Sequence, residues 1–174
     1  MSDKQVISKW FYEYSDDIYQ FLHFRLNAKQ HDIEDLVQEV FIRALKGLSH
    51  FKGNSSPKTW LFSIARNVAI DEGRKRTRDR WKWFLSFDDS HEEPYHKEQT
   101  PEEILTDKEG QRDLIAAIRS LKESYKDVLI MRSIKELSIQ ETAEVLGWSE
   151  NKVRSTHHRA KAALQKKLGG DHLE

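Results

Sequence analysis

Residues 51–76 combine the side chains that nucleic-acid binding needs. A short polar Gly/Ser loop comes directly before a helix-like segment that carries Trp60, Phe62 and Arg66. A run of cations follows: Arg74, Lys75, Arg76, Arg78, Arg80 and Lys82. Cations bind a phosphate backbone, aromatic rings stack on unpaired bases, and a polar loop can hydrogen-bond an exposed base edge. Taken alone, the segment is also compatible with a solvated helix that has a core tryptophan.

A second segment, residues 139–166, favours the nucleic-acid interpretation because its spacing is typical of a helix-turn-helix. Ala143 is small where two helices would cross, and Gly147 lies at the turn between them. We expect Leu146 and Val153 to face inward and pack the pair. The second helix should direct outward a set of residues that can read base edges and contact phosphates: Asn151, Lys152, Arg154, Ser155, His158, Arg159 and Lys161. A protein-binding helical hairpin is the alternative interpretation.

The composition indicates a helical protein without thiol chemistry. The chain has 174 residues, of which 37% are hydrophobic and 33% charged, with seven glycines, three prolines and no cysteine. The absence of cysteine excludes disulfides, thiolate metal sites and a cysteine nucleophile. Because the chain has no nucleophile–base pattern or Gly-rich phosphate loop, we expect no enzyme, no cofactor and no metal site. Without a signal peptide or an apolar span, we expect a cytoplasmic protein with no direct membrane insertion.

Charge is segregated along the chain although the formal net charge is zero. Residues 51–85 carry a net charge of +6 and residues 114–174 carry +3, whereas residues 86–113 between them carry −7. Two basic blocks on either side of an acidic connector indicate two surfaces for polyanions.

Periodicity predicts an all-α fold of two small helical domains joined by a flexible acidic linker. Apolar residues at helical spacing predict helices over residues 3–27 and 33–48, and Ser56-Pro57 begins a third that runs to about residue 85. Further helices are expected over 101–119 and 123–135, before the helix-turn-helix. The predicted domains are residues 1–85 and 101–170, with the linker at 86–100. The second helix should have an acidic and amide-bearing face: Asp32, Glu34, Asp35, Gln38 and Glu39.

Three segments in this order resemble the extracytoplasmic-function (ECF, group IV) sigma factors of the sigma-70 family, which keep only sigma domains two and four. DIEDLVQEVFIRAL at 32–45 is similar to the family's helix for core RNA polymerase. FKGNSSPKTWLFSIARNVAID at 51–71 is similar to its promoter-melting region, and residues 137–164 to the helix-turn-helix of domain four. The resemblance implies an alternative sigma factor that directs promoter-specific initiation in a stress or cell-envelope response. It also implies an anti-sigma factor as a partner.

The resemblance also implies a role for each surface. Asp32, Asp35, Gln38 and Glu39 should bind core polymerase. The residues that should bind the minus-ten element and its melted strand are Lys52, Asn54, Ser55, Ser56, Trp60, Arg66, Asn67, Arg74, Lys75 and Arg76. Arg154, Ser155 and His158 fall at the family's positions for the duplex of the minus-thirty-five element. The pattern departs from the family at Glu136, where glycine is frequent, and at Lys122-Glu123-Ser124, where a proline is frequent.

A stand-alone helix-turn-helix regulator is the alternative function. In that case the N-terminal helices would dimerise or sense a ligand, and the protein would bind a palindromic duplex without polymerase. The melting-loop pattern and the acidic helix favour the polymerase subunit.

Overall fold

The computed structural model describes residues 1–86 and 109–169. Every regular element in those two ranges is helical, which confirms the predicted all-α fold. The helices are α1 (Asp3–Arg25), α2 (Gln30–Gly47), α3 (Pro57–Ser86), α4 (Glu109–Arg119), α5 (Glu123–Leu129), α6 (Ile139–Leu146) and α7 (Glu150–Lys167). A 3₁₀ turn, Leu48–His50, follows α2, and a π-helical turn, Ile130–Ile134, follows α5. The predicted linker and the first part of the helix expected over 101–119 lie outside the described residues.

Two of the first three helices, α1 and α3, begin at a capping serine. Ser2 and Gln5 form a reciprocal capping box at the start of α1. The hydroxyl of Ser56 accepts a hydrogen bond from the backbone N–H of Thr59 at 3.1 Å, immediately before Pro57 begins α3. These bonds satisfy N–H groups that a helix start leaves unpaired. The three helices pack around a buried apolar core that includes Phe21 and Phe62, whose ring centroids are 5.7 Å apart.

Helices α4 to α7 form the second domain, which contains the predicted helix-turn-helix. Ser138 and Glu141 form a reciprocal capping box at the start of α6. Gly147 ends that helix at φ 69°, a left-handed conformation that glycine adopts without steric strain. Ser149 then caps α7. Val153 is fully buried and Ala143 and Leu146 are largely buried, so the two helices pack as the spacing predicted.

The two domains lie directly against each other. Ile118, Ile130, Met131 and Leu146 of the second domain join the same buried apolar cluster as the core of the first. A salt bridge between Lys135 Nζ and Asp17 Oδ1, 2.7 Å long, lies at the same junction. Apolar and ionic contacts therefore hold the two domains in a closed arrangement.

Glu136 allows the turn between the π-helical segment and α6. It lies at φ 56°, the only non-glycine residue with positive φ among the described residues. On one side of it the N–H of Lys135 donates to the carbonyl of Ile130, and on the other the N–H of Leu137 donates to that of Met131, both at 2.8 Å. The glutamate thus occupies the backbone conformation that glycine would take, and the turn keeps its geometry despite the departure in sequence.

We predict that Glu136→Gly stabilises the protein by about 0.5–1 kcal/mol, because glycine removes the left-handed strain but adds entropy to the unfolded chain. Urea unfolding of both proteins measures the difference. Glu144→Gly is the matched control: Glu144 is exposed within α6, and glycine there should destabilise by about 1 kcal/mol. Equal destabilisation by the two substitutions would contradict the strain argument.

The pH dependence of stability should report on His157. This half-buried ring lies on α7 with Nε2 2.9 Å from the hydroxyl of Ser133. Burial, together with the charges of Lys161 and Arg132, lowers the pKa of His157 below its ordinary value of 6.5. The unfolded chain therefore takes up this proton first, so the free energy of unfolding is intact above about pH 6.5 and decreases as the pH falls below it.

We predict that His157→Gln removes part of the loss of unfolding free energy between pH 7.5 and pH 5.5, measured by urea titration at both values. His158→Gln serves as control because His158 is exposed. If the His157 variant loses as much unfolding free energy between the two pH values as the wild type does, this residue does not cause the pH dependence.

Candidate nucleic-acid interface and docking surface

The loop before α3 projects polar groups to solvent. Lys52, Asn54 and Ser56 are exposed, and Ser55 is half-buried. Gly53 lies at φ 74°, so the backbone turns through a conformation that favours glycine. The loop therefore presents one amide, one ammonium group and two hydroxyl groups on a short, tightly turned segment.

Trp60 anchors this loop to α1. Its ring is half-buried and packs at a tilt on Phe51, with centroids 4.9 Å apart, and edge-on to Trp10 at 6.0 Å. A Cβ atom at Gly47 would lie 3.6 Å from the same ring, so α2 also passes close to it. The tryptophan thus fixes the start of α3 by packing, and its stacking on a base stays a prediction.

The cations of α3 follow the loop along the same helix. Asn67, Arg74 and Lys75 are exposed. Arg76 bonds the carboxylate of Glu72 at 3.1 Å and the backbone carbonyl of Asn27 at 2.8 Å. The structure brings Arg66, Arg74 and Arg76 to one wall of a cleft of about 1070 Å³, which has residues of both domains in its lining.

Helix α7, predicted from sequence to read a duplex, is fully formed in the closed arrangement. All seven residues predicted to face outward from α7 are exposed: Asn151, Lys152, Arg154, Ser155, His158, Arg159 and Lys161. Arg154 donates to the side-chain oxygen of Asn151 at 3.1 Å and lies 3.7 Å from the Glu150 carboxylate. Lys152 lies over the ring of Trp148 at 4.4 Å. The cations are therefore partly ordered before any duplex binds.

The acidic face of α2 is also at the surface. Asp35 and Gln38 are exposed, while Asp32 and Glu39 are half-buried. Glu39 pairs with Arg43 at 3.0 Å, and the same arginine reaches Asp71 of α3 at 3.0 Å. These ion pairs connect the α2 face to α3, but because their side chains are 39–53% exposed they contribute little stability.

Two apolar residues beside this face were missed by the sequence analysis. Ile42 is 46% exposed one turn beyond Gln38, and Phe11 of α1 is 42% exposed. Phe11, Val37 and Gln38 line a pocket of about 440 Å³ between the two helices. The available signal was that Ile42 lies outside the apolar stripe of α2. Apolar side chains beside carboxylates suit a protein partner that is itself partly basic.

The sequence analysis also missed the ionic centre of the domain junction. Arg25 Nε donates to Asp127 Oδ1 at 2.8 Å, and Arg66 Nε donates to Asp127 Oδ2 at 3.0 Å. Arg25 also bonds the Glu123 carboxylate. Burial by itself lowers the pKa of Arg25, but the neighbouring Asp127 and Glu123 carboxylates outweigh it and leave the pKa raised. Arg66, assigned from sequence to the melted strand, is therefore bound to a carboxylate of the other domain.

Two findings concern other kinds of site. The described residues contain no group of three or more His, Cys, Asp or Glu side chains that could hold a metal ion. No helix in the described part of the chain is long and apolar enough to cross a membrane.

The family comparisons match both halves of the chain. Residues 10–79 match Sigma-70 region 2, and residues 111–164 match Sigma-70, region 4. The chain is 41% identical over 155 residues to the ECF RNA polymerase sigma factor SigX of Bacillus subtilis (strain 168), covering 89% of this chain and 79% of that protein. It is 33% identical to the RNA polymerase sigma factor YlaC of the same organism, over 97% of this chain and 95% of that protein.

Solved structures share the fold at lower identity. The sigma factor RpoE in complex with the anti-sigma factor NepR from Bartonella quintana has a TM-score of 0.69 at 23% identity, covering 93% of this chain and 96% of that chain. CnrH in complex with the cytosolic domain of CnrY also has a TM-score of 0.69, at 21% identity, covering 97% of this chain and 90% of that chain. With two matched sigma regions in order and a relative 41% identical over most of both chains, this protein belongs to the ECF RNA polymerase sigma factor family.

Proposed function

We propose that this protein is an alternative sigma factor of group IV that binds core RNA polymerase and directs promoter-specific transcription initiation. The observation that supports the proposal is the presence on one chain of two different surfaces whose side chains suit nucleic acid. The loop and α3 offer polar and cationic groups suited to unpaired bases, whereas α7 offers a row of outward residues suited to a duplex groove. A stress or cell-envelope response is the proposed context, and the protein would have no catalytic role of its own.

The loop at 52–56 would hold a base that leaves the duplex at the minus-ten element. Extruding one base from a stack costs a few kcal/mol, and hydrogen bonds to the base edge can offset that cost. Asn54 carries both a donor and an acceptor and is exposed on the loop. Arg74, Lys75 and Arg76 would then bind the phosphates of the same strand. No bond is made or broken, so melting depends on binding the open strand more tightly than the duplex.

Helix α7 would read the minus-thirty-five element in the major groove. An arginine that bonds a guanine through two N–H groups contributes about 1–3 kcal/mol of discrimination between bases. Arg154, Ser155 and His158 lie together on the exposed side of the helix. The cations around them, Lys152, Arg159 and Lys161, would fix the helix on the phosphate backbone.

The acidic face of α2 would dock on core polymerase. Asp35 and Gln38 are exposed and would meet a basic partner surface, while Ile42 adds an apolar contact beside them. We also propose an anti-sigma factor as a partner. Support comes from the two similar solved structures, RpoE with NepR and CnrH with the cytosolic domain of CnrY. The stand-alone regulator is not favoured, because the family of this chain is that of polymerase subunits.

Run-off transcription with purified bacterial core polymerase, a promoter library and this protein as the only added factor tests the proposal. We predict sequence-specific transcripts that require both components, and that Arg154→Ala lowers them roughly tenfold or more on promoters with the upstream element. Lys166→Ala removes an exposed cation from the same helix and should cause a smaller loss on all promoters alike. Tight duplex binding without core association or transcripts would instead support the stand-alone regulator.

We predict that Asn54→Ala slows promoter opening about fivefold to tenfold, as expected for the loss of a hydrogen bond to an unpaired base, and leaves closed complexes intact. Permanganate footprinting of the melted bubble over time measures the opening, and gel shift measures closed complexes. Ser49→Ala, an exposed polar residue just before the loop, is the control and should open promoters at the wild-type rate. If the footprint of the Asn54 variant develops as in the wild type, Asn54 does not contribute to promoter melting.

A further inference from the structure

Arg25 is a charged residue that is almost completely buried. It lies in the last turn of α1 and is only 4% exposed. An unpaired guanidinium at such a depth would be strongly unfavourable, so its bonds to Asp127 and Glu123 are what permit it to be there. Both partners belong to the other domain. If the domains separate, Arg25 loses both acidic partners and becomes exposed on the first domain.

Asp127 accepts from two arginines at once. One carboxylate oxygen lies 2.8 Å from Arg25 Nε, the other lies 3.0 Å from Arg66 Nε, and the residue is 1% exposed. The two guanidiniums come from α1 and α3 of the first domain, and α5 of the second domain supplies the anion. Guanidiniums bind carboxylates and phosphates in the same geometry, with short charge-assisted hydrogen bonds.

The surface around Arg25 and Arg66 is also rich in cations. The cleft beside it is lined by further cations of α3, including Arg74, Arg78 and Arg80. Its three acidic lining residues are all engaged in ion pairs: Asp71 with Arg43, Glu123 with Arg25 and Lys126, and Asp127 with both arginines. Two of these acids, Glu123 and Asp127, belong to the second domain. Without that domain, the wall formed by α1 and α3 would be strongly positive.

We propose that Arg25 and Arg66 together form a phosphate-binding site for single-stranded nucleic acid, which the carboxylate of Asp127 occupies while the domains are closed. The inference rests on the proposed function, because that function assigns Arg66 to the melted strand. It adds Arg25 to the strand-binding surface. It also makes strand binding and domain closure mutually exclusive, since Asp127 and Glu123 of the closed second domain occupy the place that the phosphate would take.

The full-length protein and a fluorescently labelled single-stranded DNA of 15 nucleotides test the proposal by anisotropy without polymerase. We predict that Asp127→Asn binds the strand about tenfold more tightly than the wild type, because the amide no longer neutralises the two arginines. The slope of log affinity against log salt should steepen by about 0.7, the value for one additional phosphate contact on a single strand.

Two further variants separate a phosphate site from a general loosening of the junction. Asp17→Asn breaks the 2.7 Å bridge to Lys135 at the same junction but leaves Asp127 in place, so its gain in affinity should be much smaller. Arg25→Ala combined with Asp127→Asn should lose most of the tenfold gain and the added salt slope. Equal gains in Asp127→Asn and Asp17→Asn, or a full gain without Arg25, would overturn the proposal.

A chemical cross-link keeps the test independent of whether Asp127→Asn folds. The chain contains no cysteine, so Asp17→Cys with Lys135→Cys creates one reactive pair across the junction. A short bis-maleimide that ties the domains closed should lower strand affinity at least about fivefold against the same variant capped with a mono-maleimide. Equal strand affinities of the cross-linked and the capped protein would show that domain closure does not mask the strand-binding site. Transcription is not needed for any of these readouts, so a failed run-off assay and a failed strand-binding assay identify different errors.

Discussion

The closed arrangement of the two domains depends on one buried carboxylate. Asp127 is almost inaccessible, and it receives hydrogen bonds from an arginine of α1 and an arginine of α3. Removing one partner from a buried ion pair leaves the other charge desolvated, at a cost of about 3–5 kcal/mol. The position of the second domain is therefore coupled to the placement of a single side chain. The apolar contacts around Ile118 and Met131 stabilise the same junction.

The same interaction links the fold to the surfaces for nucleic acid. Arg66 lies on α3, the helix that begins directly after the polar loop of Asn54. The closed arrangement partly covers Arg66, but it leaves the loop and the outward face of α7 at the surface. The surface of α3 is thus partly masked, while the outward face of α7 is fully exposed. A partner that separates the domains would complete the masked surface without any change within the helices.

Local structure could be predicted from the sequence because local signals determine it. The capping boxes at Ser2 and Ser138 fix the starts of α1 and α6, and Gly147 fixes the turn of the helix-turn-helix. The outward residues of α7 follow from helical spacing once that start is known. Glu136 shows the same principle in another form: the backbone around it requires a left-handed residue, and the surrounding hydrogen bonds impose this conformation on a glutamate.

The domain junction could not be predicted in the same way. Arg25 and Asp127 are 102 residues apart, and no periodic pattern relates them. The sequence does contain a signal for each residue, because Arg25 falls on the apolar stripe of α1 and Asp127 precedes an apolar run. A charge among apolar residues indicates a buried partner but does not identify it. Arg66 was assigned to the strand from the family resemblance, and only the three-dimensional structure reveals the carboxylate beside it.

The use of charged residues at this junction has a physical advantage for a contact that must open. Well-packed apolar side chains in place of a buried ion cluster are often equally stabilising or more so. They would, however, add to the apolar surface that Ile118, Met131 and Leu146 already contribute to the junction, and exposed apolar surface favours aggregation after separation. Charged side chains at the junction can be hydrated when the domains part, so they do not add to that apolar surface. Two exposed guanidiniums are also strong donors for an anion, so the chemistry that closes the junction suits the open state for a phosphate.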